Sequence, residues 1–414
     1  MSRLLSFLLV ICFTLVFYSC SNRGKEELNS GIWRGALKTK SGVEIPFNFE
    51  IIDSSGTKQV FIINGQDRFR ASDVITFKDS IKVSIPLFES EIKAKILKLG
   101  LSGEWVKHLP TKDISMKFDA SPNSSWRFFK ANASSTNNIN GRWAASIISD
   151  KDTTAAIAEF KQSGTNLTGT FLTSTGDYRF LEGTVSENKL YLSGFDGSGA
   201  YLFTGTIESD SIISDGKLYS GYSSIKNWAA KKDEKAVLPD VYSLTALKPG
   251  YKSLSFSFPD LDKKKVSLTD KKYQGKVVIV QFLGSWCPNC MDETAYLTKF
   301  YQQYKAKGVE IIGLAYERES DFLSSKKNVE RLMKRYNIKY DILLTGYTSK
   351  SGDVLKSLPM LKNFMAFPTT IIIDKHGLVR KIHTGFSGPG TGSHFNAFKQ
   401  DFEETINNLL NEKH

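Results

Sequence analysis

Cysteine is scarce. The 414 residues hold four, at Cys12, Cys20, Cys287 and Cys290. Cys12 falls inside the first apolar run and is expected to be lost with it. No set is left for a structural disulfide framework. Histidine is also rare, and His376, His383 and His394 lack ligand spacing. With a single Cys-x-x-Cys knuckle, a four-ligand zinc site is not expected, and no motif calls for a metal or a cofactor. Long apolar runs are missing except for Leu4 to Phe17, which is short of the ~20 residues a membrane-crossing helix needs. Positive charge is in excess, at +12 net. The lysines nonetheless come in short scattered runs, such as Lys263 to Lys265 and Lys271–Lys272. Without a basic stripe or an aromatic-interleaved module, a nucleic-acid partner is not expected.

What is present begins with an address. Arg3 precedes the apolar run, Ser19 supplies a small residue, and Cys20 follows it. This order resembles a bacterial lipoprotein signal, in which the cysteine is lipidated and becomes the new N-terminus. The resemblance implies a signal peptide over 1–19, a lipid anchor at Cys20 and a polar tether over 20–30. The alternative is an ordinary secretory signal with Cys20 incidental. Either way the mature chain is expected outside the cytoplasm, and with the anchor it is a membrane-held periplasmic lipoprotein.

From Gly31 to about Lys231 short alternating runs recur every 8–12 residues or so, the pattern of antiparallel strands. Ala155 to Phe160, Leu167 to Leu172, Leu190 to Phe195 and Ala200 to Ile207 are examples, separated by turn signals such as Ser163-Gly164 and Glu187-Asn188. No helical periodicity of useful length interrupts them. One or two barrel- or sandwich-like units are expected. Similar features recur at an offset near 110 residues. Trp33 stands two residues after Gly31, and Trp143 two after Gly141. The spacing suggests two related domains, 31–120 and 141–230, joined by a Ser/Asn-rich linker over 121–140. Two unrelated meanders are the alternative. The β region shows no Gly-rich phosphate loop and no paired carboxylates in a recognisable context.

A charged linker with Pro239 spans 231–240, and the pattern then changes. Val277 to Leu283 is continuously apolar, the mark of a strand buried on both faces. Asp292 to Lys305 is helical, Val309 to Tyr316 is a second buried strand, and Val329, Leu332, Met333 and Tyr336 space out another helix. Thr369 to Asp374 and Val379 to Thr384 form a strand pair, and Phe395 to Leu409 a final helix. This order predicts an α/β layer domain over 241–414.

The sequence Trp286-Cys287-Pro288-Asn289-Cys290 joins the first buried strand to the first helix. Unpaired N–H groups at a helix N-terminus stabilise a thiolate, which makes Cys287 the expected nucleophile. Pro288 suits the first helical turn. Cys290 lies one turn on, within reach of a disulfide with Cys287. A second element, Phe367-Pro368-Thr369, precedes a strand; its proline is either cis, facing the cysteines, or an ordinary trans proline at a strand start.

From about Pro239 onward the chain resembles the thioredoxin superfamily, specifically the TlpA/ResA-like extracytoplasmic thiol–disulfide oxidoreductases. The resemblance is carried by VVIVQFLGSWCPNC (277–290), AFPTTIIIDKHG (366–377) and TGFSGPGTG (384–392). It implies that 340–364 is the subfamily's insertion and that Trp286, Phe367 and Pro368 frame the substrate. It also implies that Glu293, six residues after the first cysteine, moves the proton of Cys290; an exposed helix glutamate is the alternative. Many thioredoxins carry the acid six residues before that cysteine, where Gln281 stands here.

Three functions are weighed. The first is a membrane-tethered oxidoreductase reducing protein disulfides, with an external electron donor, a membrane thiol–disulfide protein, to reset the pair. The second is a thiol peroxidase, which would need Thr or Ser where Gly284 stands. The third makes the β region a partner-binding module that selects the client.

Overall fold

The computed structural model describes residues 27–412. The signal segment, Cys12, Cys20 and the first part of the tether lie outside the described residues.

The β region forms two closed barrels, the barrel alternative of the sequence expectation. The first is an eight-stranded meander: β1 (Gly31–Lys38), β2 (Glu44–Ser54), β3 (Thr57–Asn64), β4 (Asp67–Phe77), β5 (Ser80–Ile85), β6 (Ser90–Leu97), β7 (Gly100–His108) and β8 (Asp113–Pro122). Every neighbouring pair is antiparallel, and β8 returns to β1. Alternation puts Phe47, Phe49, Ile62, Val83, Ile92 and Phe118 inside, where they fill the interior. The second barrel comprises β9 (Gly141–Ile148), β10 (Thr153–Ser163), β11 (Asn166–Thr173), β13 (Leu181–Ser186), β14 (Lys189–Phe195), β15 (Ala200–Ser209), β16 (Ile212–Ser220) and β17 (Ser224–Lys232), with a two-residue strand, β12 (Gly176–Asp177), outside on β11. Pairing of β10 with both β9 and β11 closes it.

The two barrels begin alike. Trp33 Nε1 donates to the Asn29 carbonyl and Trp143 Nε1 to the Ile139 carbonyl, each at 3.0 Å and four residues back. A buried indole needs an acceptor for its N–H, and both copies find it in the chain that enters the barrel.

The 121–140 segment does more than join. Arg127, fully enclosed, donates to Asn48 Oδ1, Ser193 O, Ile63 O and Glu182 Oε2 at 2.8–3.1 Å. Phe195 of the second barrel packs on Phe47 of the first, ring centres 4.4 Å apart. Asn64 bonds to both backbone groups of Phe195.

The C-terminal α/β domain is thioredoxin-like, as expected. After a small hairpin, β18 (Ser257–Pro259) and β19 (Lys265–Ser267), comes a five-stranded sheet in the order β22–β21–β20–β23–β24. Its strands are β20 (Val277–Leu283), β21 (Val309–Glu317), β22 (Asp341–Thr348), β23 (Thr369–Ile373) and β24 (Val379–Thr384). β20 runs parallel to β21 and antiparallel to β23. All seven residues of β20 are buried, as its unbroken apolar run requires. On one face pack α1 (Pro288–Tyr304), α2 (Phe322–Tyr336) and α4 (Ser393–Asn411). The other is covered by α3 (Ser351–Ser357) and the segments around Phe256 and Phe364.

Two details differ from the sequence expectation. The first helix begins at Pro288 rather than Asp292, because Cys287 serves as its N-cap. The 340–364 segment contributes an edge strand of the sheet, β22, and the short α3. The apolar run there, Ile342 to Leu344, is too short to read as a strand before its partner β21 is known.

Candidate active site

The site grows from the end of β20. The chain leaves the sheet at Gly284, and Ser285 is fixed by Glu317 at the end of β21. Glu317 accepts from Ser285 N at 2.9 Å and from Ser285 Oγ at 2.7 Å. Trp286 Nε1 donates to Tyr316 O at 3.1 Å. A Cβ on Gly284 would lie 2.2 Å from that indole nitrogen. The position where a peroxidase would need Thr or Ser is therefore filled by the ring of Trp286.

Cys287 and Cys290 are free thiols at the start of α1. The Cys287 sulfur accepts the Cys290 backbone N–H at 3.3 Å, one of the orphan donors of the first turn. Its own S–H points to the Phe367 carbonyl at 3.8 Å. Phe367–Pro368 is cis, the first of the two alternatives left by the sequence. Phe367 also meets Trp286 edge to face at 5.9 Å. All of Trp286, Cys287, Cys290, Phe367 and Pro368 are thus gathered at one point.

Glu293 lies in the same place, one turn beyond Cys290 on α1, and is entirely buried. Its Oε1 accepts from Thr370 Oγ1 at 2.7 Å and its Oε2 from Gln281 Nε2 at 2.8 Å. Burial pushes this carboxyl up to about 7, against the pull of those two hydrogen bonds. The strand position and the helix position at which related folds carry an acid are therefore hydrogen-bonded neighbours. Burial, with the Cys287 hydrogen bond and charge behind it, also holds the Cys290 thiol well above the ordinary range, and Glu293 adds to this.

No local pattern in the chain indicates what covers this site. The β12 hairpin of the second barrel lies across it. Asn289 Nδ2, from within the Cys-x-x-Cys, donates to Asp177 O and Phe386 O, both at 3.3 Å. Gly176 permits the approach, since a Cβ there would lie 2.6 Å from Asn289 Nδ2. Arg179 grips Asp292 on α1 in a fork, with Nε–Oδ2 at 2.8 Å and Nη2–Oδ1 at 2.9 Å. The same guanidinium faces Asp196 at 3.5 Å and Asp67 of the first barrel at 3.7 Å. Asp177 Oδ2 accepts from Gly388 N at 2.6 Å, in the glycine-rich 384–392 segment. Burial, then the nearby Asp292, raises Asp177 to about 7.

In this arrangement Cys287 is 6% exposed and Cys290 1%. Beside the motif, Asp177, Arg179, Tyr201, Pro288 and Asn289 leave a space of about 70 Å³, room for a water or two. Among the described residues no cluster of His, Cys, Asp and Glu could hold a metal.

A Redoxin family model matches residues 248–398. The thiol-disulfide oxidoreductase ResA of Bacillus cereus is 32% identical over 162 residues, which cover 39% of this chain and 74% of that protein. ResA of Geobacillus thermodenitrificans is 33% identical over 141 residues, 34% of this chain and 72% of its own. A solved thiol:disulfide interchange protein of the thioredoxin family from Chlorobium tepidum TLS aligns with 40% of this chain and 99% of its own, at 22% identity and a TM-score of 0.30. The family model leaves both barrels outside its span. Through its C-terminal domain, the chain belongs to the ResA family of thiol-disulfide oxidoreductases.

Proposed function

We propose that this protein is a membrane-tethered, extracytoplasmic reductase of protein disulfides, with Cys287 as attacking and Cys290 as resolving cysteine. The stack of Cys287 on the Phe367 carbonyl, with Cys290 and buried Glu293 beneath, carries this reading. The Cys287 thiolate attacks one sulfur of the client disulfide. That bond breaks, one client thiolate leaves, and a mixed disulfide forms on Cys287. Cys290 gives its proton to the Glu293 carboxylate and attacks the Cys287 sulfur. The mixed disulfide breaks, the second client thiolate leaves, and Cys287–Cys290 holds the two-electron oxidation. Trp286, Phe367 and Pro368 frame the client strand.

No further cysteine follows Cys20 apart from this pair, so an external dithiol must return the electrons. A membrane thiol–disulfide protein suits a chain anchored at Cys20. The working units are the two barrels, 31–120 and 141–230, with linkers over 121–140 and 231–240, and the redox domain over 241–414. The shared 110-residue offset and the matching Trp33 and Trp143 bonds support a duplication.

A specific observation favours giving the β region part of the function. With its hairpin across Asn289 and Asp292, the second barrel governs which disulfides reach Cys287. A client must displace it or compete with it. Trapping tests the central claim. In Cys290→Ser, mixed disulfides with client proteins should accumulate on Cys287 and disappear on reduction. Failure to recover any adduct would remove Cys287 from the attacking role.

A further inference from the structure

The first barrel has two unlike rims. In an antiparallel meander the ends of the even strands and the starts of the odd ones share one rim. The rim holding the β3–β4 turn and Glu89 faces the rest of the molecule. There Asp67 meets Arg179, Arg318 reaches Glu89 at 3.4 Å, and Asn328 donates to Glu89 at 3.1 Å. The opposite rim carries the tips of the β4–β5 and β6–β7 hairpins, and these show large apolar side chains to solvent. Leu99 is 82% exposed, Phe77 57% and Leu97 47%. Ile96 N donates to Asp79 O at 2.7 Å, so the two tips project together. An isolated exposed leucine needs no explanation, but three such groups on adjoining tips do.

Charge and chain path point to the occupant. Lys78, Lys95 and Lys98 stand among the apolar groups and are exposed. Lys82 and Lys93 nearby are already held by Glu91. The chain also enters the barrel at this rim. Gly31 starts β1, and Ser30 Oγ accepts from Lys58 at the start of β3 at 3.4 Å. From residue 20 to that rim the tether reaches at most about 35–40 Å when fully extended.

We propose that the rim formed by Phe77, Leu97, Leu99 and their lysines docks on the surface of an anionic bilayer. This rests on the lipid-anchor reading of Cys20. The apolar tips enter the boundary between headgroups and acyl chains, and the lysines meet lipid phosphates. The barrel then stands on the membrane, and its opposite rim holds the redox domain away from it, turned toward soluble clients.

The test uses the full chain reconstituted through its N-terminus into vesicles of phosphatidylethanolamine and phosphatidylglycerol, or of phosphatidylcholine alone. A photo-crosslinking residue, p-benzoylphenylalanine, replaces Leu99, or as a control Leu323, which is 71% exposed on the redox domain. Position 99 should yield lipid adducts about ten-fold above position 323, and more on anionic than on neutral vesicles. Lys78→Glu with Lys98→Glu should lower the anionic yield about five-fold or more, with insulin reduction in detergent unchanged. Equal yields at 99 and 323, no lipid adduct at 99, or a protein adduct there in native membranes would overturn the proposal. A carbonate wash separates it from the anchor. Protein released by the wash shows that the Cys20 reading has failed, while adducts formed at 99 before the wash still decide the rim.

Discussion

Glu293 shows how one carboxyl is set by its surroundings. In the folded chain it titrates near 7, above its ordinary 4.5, because burial disfavours the ion. Folding thus takes up a proton between those values, so the stability linked to this group is whole below pH 4.5 and is lost as pH rises through 7. By the usual conversion the loss is at most about 3 kcal/mol. Glu293→Gln is neutral throughout and should escape it. Urea unfolding at pH 5 and pH 8 should show the variant gaining on the native chain by up to about 3 kcal/mol at the higher pH. An equal difference at both would mean the carboxyl is not held neutral. The native chain's resolving step should quicken as pH rises through 7, and the variant should lack that rise and be slower by about ten-fold or more at pH 8. The position was reached only through the resemblance to the TlpA/ResA-like family. Its burial was not legible, because the walls come from Gln281 and Thr370 on β20 and β23.

At the scale of elements, the β12 hairpin lies against the start of α1. Arg179 faces three carboxylates, one from each of the three units: Asp67, Asp196 and Asp292. Removing one partner of a buried ion pair typically costs about 3–5 kcal/mol, because the other charges are left unpaired. Arg179→Ala should therefore loosen the hairpin from α1. Alkylation of Cys287 by iodoacetamide at fixed pH should accelerate about ten-fold or more, and insulin reduction should rise with it. Unchanged alkylation in a variant with a native unfolding transition would show that the hairpin does not limit access. The strands flanking this hairpin were legible from their alternation and turns. The role of Arg179 was not, since its partners Asp67 and Asp292 lie more than 100 residues away.

For the whole molecule, the arrangement is a sequence of supports. Arg127 and Phe195 lock the second barrel to the first, and the second barrel sits on the redox domain. If Cys20 is the anchor, Cys20→Ser should move the protein from the membrane to the soluble extracytoplasmic fraction without changing insulin reduction by the purified chain. Retention of the variant on membranes would refute lipidation as the attachment. It would leave the redox chemistry untouched, since that rests on Cys287 and Cys290.

Local pattern determined much of this protein. The apolar run of β20, the Cys-x-x-Cys at a strand–helix junction, Phe367-Pro368 and the alternating strands are all short-range signals. Each follows from which side chains a strand or a first helical turn tolerates. Two results belong to the tertiary structure alone. The first is that the β meanders close as two barrels, since closure depends on β8 meeting β1 and β10 meeting both β9 and β11. The second is that the redox pair is covered, for Cys287 reads as an open nucleophile until Asp177 and Arg179 are brought across it. Those last contacts join residues over 100 positions apart through a hydrogen bond and a forked ion pair, which leave no periodicity in the chain.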